Sequence, residues 1–73
     1  MIPVSEVLQN REFRHFITFY DRVAAENVAI SIMYPGRNRA YIMDHELEHV
    51  QNIVDEEIDR KLDSFMAMDL EMV

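Results

Sequence analysis

From Phe13 onward the apolar side chains keep step with a helix: Phe13, Phe16, Ile17, Tyr20, Val23 and Ala24 recur at i, i+3, i+4 and i+7. At ~100° per residue Val7 and Leu8 point away from that stripe, so one straight helix through both would expose one apolar set. Asn10 favours the N-terminal end of a helix and marks the break. The pattern therefore predicts a short helical turn over residues 3–8 capped by Ser5, then a main helix over residues 11–26. At Val28 the period changes. Val28, Ile30, Ile32 and Tyr34 alternate with smaller or more flexible residues, and the segment is rich in β-branched side chains, which predicts a strand. Pro35-Gly36 suits a type II turn, because proline fixes the first corner and glycine accepts φ > 0 at the second. Residues 37–43 then return as the partner strand of a β-hairpin. Two strands alone are marginal, so the hairpin is expected to lie on a helix or to pair with a second copy of itself.

The last segment returns to helical spacing and keeps it. Leu47, Val50, Val54, Ile58, Leu62, Phe65, Met68 and Met72 form one stripe at gaps of three or four. Asp44 is the expected cap, and Glu46 and Glu48 suit the positive N-terminal end of the helix. Glu56–Arg60 and Glu57–Lys61 are i, i+4 pairs in the favoured order. Carried to residue 73, the helix would be roughly 45 Å long. Towards its end the apolar residues surround it: Phe65, Met66, Ala67, Met68, Leu70, Met72 and Val73. A helix apolar on all sides is normally buried on all sides, and methionine suits adaptable contacts. Phe65, Met66, Met68, Leu70 and Met72 are therefore the expected oligomer interface. The fold class predicted is α+β: N-terminal helix, β-hairpin and long C-terminal helix, dimeric through that helix or the hairpin edge.

Length turns the oligomer from an option into an expectation. The 73 residues form one domain, 1–73, and a chain this short buries only about 60% of its unfolded surface. Stability then calls for a metal, a disulfide or a partner, and the chain has no cysteine. No apolar run approaches the ~20 residues of a membrane span. The N-terminus lacks the basic and apolar regions of a signal peptide, so a cytoplasmic protein is expected.

Charge changes the functional picture. Residues 1–43 carry five arginines against four acids, whereas residues 44–73 carry ten acids against Arg60 and Lys61. The total of −7 is thus a segment of +1 followed by one of −8. Such a field attracts basic partners and repels nucleic acid.

His45-Glu46-Leu47-Glu48-His49 supplies the one chemical motif, H-E-x-x-H. Histidines at i, i+4 on a helix can share a zinc ion, and the intervening glutamate can take a proton from metal-bound water. These five residues resemble the motif of the zincin metallopeptidases, which implies zinc held by His45 and His49 with Glu46 as base. The resemblance also implies a third ligand from a later helix and uncharged middle positions, whereas here Glu48 occupies one of them. Only 24 residues follow His49, all within one helical pattern. Glu56, the nearest same-face carboxylate, is about 10 Å further along the axis. His45 and His49 also lie opposite the apolar stripe.

Two arginines at the predicted hairpin tip, Arg37 and Arg39, make too small a basic surface for nucleic acid and are expected to meet acidic groups, including the chain's own last helix. The leading expectation is a small acidic, non-catalytic protein of inhibitor type. It would bind a basic protein partner, one that itself binds nucleic acid being an option, through Glu48, Glu56, Asp59 and Asp63. The alternatives are a zinc-dependent hydrolase or metal-binding protein at His45–His49, and a purely structural homo-oligomer.

Overall fold

The computed structural model describes residues 3–71, with side chains for residues 3–66. Four α-helices and a 3-10 turn follow one another: α1 Val4–Gln9, α2 Arg11–Thr18, α3 Arg22–Met33, the turn Arg39–Tyr41, and α4 Asp44–Glu71. No strand occurs among the described residues. The α+β architecture with a β-hairpin is therefore replaced by an all-helical one.

The segment read as the first strand is the second half of α3. Its buried residues are Ala25, Glu26, Ala29, Ile30 and Met33, a spacing of three and four that only a helix presents on one side. Val28 and Ile32 are half-buried beside them. A stretch that is apolar at nearly every position fits both periods, and the deciding factor is what it packs against. Here α1, α2 and α4 all pack on α3. The Pro35-Gly36 turn forms as its residues require. The Arg37 N–H donates to the Tyr34 carbonyl at 3.1 Å, and Gly36 has φ +82°. It ends a helix, however, and Arg37–Met43 runs on as loop and 3-10 turn in place of a returning strand.

The helix expected over 11–26 is two helices. The first ends in a Schellman motif: the Tyr20 N–H donates to the Ile17 carbonyl at 3.0 Å and the Asp21 N–H to the Phe16 carbonyl at 2.9 Å. Tyr20 takes the left-handed position with φ +57°, where glycine is usual. Asp21 then starts α3, its side chain accepting from the Ala24 N–H at 3.1 Å. At the preceding junction Asn10 caps α2 as expected, accepting from the Phe13 N–H at 2.9 Å. Ser5 caps nothing: the cap position falls two residues earlier, at Pro3, whose carbonyl accepts the first helical bonds.

Val7, Phe13, Ile17, Ala25, Ala29, Ile30, Met33, Val50, Ile53 and Val54 form the core. On α4 the buried side is carried by Val50, Ile53, Val54 and Glu57, whereas Leu62, Phe65 and Met66 are exposed. The short helices thus cover α4 only as far as about Lys61, and the described residues beyond it project from the body.

Candidate interaction surface on the long helix

The N-terminus of α4 is built by Glu46. The Met43 carbonyl accepts the first helical bond, from the Leu47 N–H at 2.9 Å, so Met43 and not Asp44 holds the cap position. Glu46, three residues on, reaches back and accepts from the Met43 N–H at 3.1 Å, the reciprocal half of a capping box. Arg37 donates to the same carboxylate oxygen at 2.6 Å, while its guanidinium carbon lies 5.4 Å from the centre of the Tyr34 ring. These contacts hold the Glu46 carboxyl below its ordinary pKa, first through the Met43 N–H, against some desolvation, and then through the bond and charge of Arg37.

The H-E-x-x-H stretch is built into this helix start. The glutamate it would use as a base is already an acceptor for a backbone N–H and a guanidinium, and a depressed pKa weakens it as a base. His45 is exposed and His49 half-buried on the same helix. Among the described residues no three His, Cys, Asp or Glu side chains are grouped to hold a metal ion. The donor set does not fit a catalytic zinc, which needs three protein ligands and a free base.

The acids of α4 from Glu48 to Asp63 fall into two sets. Glu57, with its side chain 6% exposed, faces inward and pairs with Arg14 at 2.5 Å and with Arg60 at 3.3 Å. Arg22 pairs with Asp55, and Arg39 reaches the buried Glu26 of α3 at 2.8 Å. Four of the five arginines of residues 1–43 are thus engaged with inward or flanking carboxylates. The expected Glu56–Arg60 pair is replaced by Arg60–Glu57, which leaves Glu56 outside.

Glu48, Glu56, Asp59 and Asp63 form the other set. All four are exposed, and none takes part in an ion pair among the described residues. Their spacing places them on one side of α4, opposite Val50, Val54 and Glu57, along roughly 22 Å of helix. Phe65 and Met66 lie exposed just beyond. Met72 and the side chains of Met68 and Leu70 lie outside the described residues.

Sequence reasoning missed the two buried carboxylates, Glu26 and Glu57. The signal available was the excess of arginine in the first 43 residues, but the partners of Glu57 and Asp55 are 43 and 33 positions away. Comparison with protein-family models, curated proteins and solved structures finds no match for this chain. No helix among the described residues is long and apolar enough to cross a membrane.

Proposed function

We propose that this chain is a non-catalytic, acidic interaction protein of the cytoplasm that occupies a basic surface of another protein. The observation supporting this reading is the division of α4. Its inward acids are consumed by the chain's own arginines, whereas Glu48, Glu56, Asp59 and Asp63 present an uncompensated row of charge. A row of carboxylates about 22 Å long matches an extended basic groove or helix better than a point contact, and a nucleic-acid-binding surface has that form. Charge of this kind acts chiefly on association rate and on partner choice.

The test compares the parent with E56Q/D59N/D63N against a basic partner purified from the native host. Association of the parent should slow as salt rises, and the variant should associate at least tenfold more slowly with its helix content unchanged. A variant that binds as fast as the parent would sink the reading.

Self-association is a second reading, favoured by the exposure of Leu62, Phe65 and Met66 on the projecting part of α4. A second copy covering Phe65 would bury surface worth roughly 1.5–3 kcal/mol before association costs. Sedimentation at high micromolar concentration should then show a dimer that F65S/M66S converts to a monomer, and a monomeric parent would refute it.

A further inference from the structure

The side of α4 next to the carboxylate row carries the opposite charge. A cleft of about 210 Å³ opens between α2 and α4, lined by Arg14, Glu57, Arg60, Lys61 and Ser64. Its lining holds three cationic side chains against one carboxylate, a local balance of +2 on a chain of −7. The carboxylate is also largely spent, since Glu57 carries Arg14 on one oxygen and Arg60 on the other. Lys61 takes part in no ion pair among the described residues.

From this arrangement we infer that the cleft is a binding site for a tetrahedral phosphate group, free or as a monoester. Glu57 fixes one edge of the Arg14 guanidinium, which leaves its other N–H groups to meet an anion. An arginine fork, a lysine ammonium and a hydroxyl suit the oxygens of a phosphate dianion. The volume admits a small oxyanion with some of its water. Glu56 and Asp63 lie four residues before and three residues after Arg60 and so flank it on the helix surface; neither lines the cleft, and their field weakens the site without closing it. Arg14 belongs to α2, and Arg60, Lys61 and Ser64 belong to α4. A bound phosphate therefore ties the two helices at the last point where α4 is covered, and binding favours the folded state. The cleft adjoins the carboxylate row but shares no lining residue with it, and neither reading depends on the other.

Inorganic phosphate and O-phosphoserine are titrated separately into the isotope-labelled chain at constant ionic strength, with chloride as the reference anion. Amide shifts at residues 14, 60, 61 and 64 should move and saturate, and the melting temperature should rise with phosphate above the chloride value. Tighter binding of O-phosphoserine identifies a monoester as the preferred form, and equal binding identifies the free ion. R60Q and K61Q leave the Arg14–Glu57 pair in place, and each should weaken binding roughly fivefold, the effect of one partly exposed charge contact. R22Q, whose arginine is engaged elsewhere, should leave it unchanged. Shifts that stay linear, that chloride reproduces, or that persist unweakened in both R60Q and K61Q would overturn the site.

Discussion

Glu56 and Glu57 are neighbours in sequence and opposites in structure, so neutralising them one at a time tests the division of α4. In Glu57→Gln the side chain stays in place, 5% exposed, but loses the charge that holds Arg14 and Arg60. Arg14 is itself 47% exposed and can turn to water, so the cost falls below the ~3–5 kcal/mol of breaking a fully buried pair. The loss of a charge-assisted hydrogen bond, about 1.5–3 kcal/mol, is the better measure. Glu56→Gln removes an exposed charge with no ion-pair partner among the described residues, and should stay within roughly 0.5 kcal/mol of the parent. Its sign should be favourable, because it lowers the repulsion within the −8 segment. Urea unfolding followed by helix signal separates the two. With a slope near 1 kcal/mol per molar for a domain this small, Glu57→Gln should lower the midpoint by about 2 M and Glu56→Gln by almost nothing. Equal midpoints for the two variants would refute the assignment of inward and outward acids.

Asn10→Ala removes the side chain that caps α2 and should cost about 1 kcal/mol; an unchanged melting temperature would show that α2 is held by packing alone. Tyr20→Asn should stabilise by up to ~1 kcal/mol, since asparagine tolerates the left-handed position that tyrosine occupies under strain, whereas a loss of stability would show that the ring's contacts outweigh the backbone cost. Because the folded-state pKa of Glu46 is depressed, its contribution is present above its unfolded pKa and is lost as pH falls through the folded value, below the ordinary 4.5. Acid titration of helix signal should therefore be shallower in Glu46→Gln than in the parent, and superimposable curves would contradict the capping role.

What the sequence disclosed follows the range of each interaction. Asn10 and its Phe13 N–H, the Pro35-Gly36 turn and the long run of α4 were all legible, because cause and effect lie within four residues. Glu48, Glu56, Asp59 and Asp63 were placed opposite the apolar stripe by helical geometry alone, and they are exposed. Val28–Tyr34 was misread because its side chains satisfy a period of two and a period of 3.6 together, and only the neighbours α1, α2 and α4 decide between them. The break at Phe19–Asp21 was missed for a different reason. A tyrosine sits where glycine would have announced the end of a helix, although Asp21 was available as a cap. The Glu57 carboxylate meets Arg14 across 43 positions, and no local pattern records such a pair. The same distance hid the phosphate cleft, whose walls come from α2 and α4.

The connection from Tyr34 to Met43 contributes no buried residue and only half-buried Tyr34 and Ile42 to the core. Its arginines anchor it through Glu46 and Glu26. Such anchors are electrostatic and partly open to solvent, so dissolved ions compete with them, whereas the apolar packing of α3 on α4 gains from added salt. Salt should thus loosen the connection while tightening the body it joins. Trypsin offers the readout, since Arg37 and Arg39 are both exposed and both lie in this stretch. Cutting after them should quicken as salt rises, even though global melting moves upward, and the nicked halves should remain together on the α3–α4 packing.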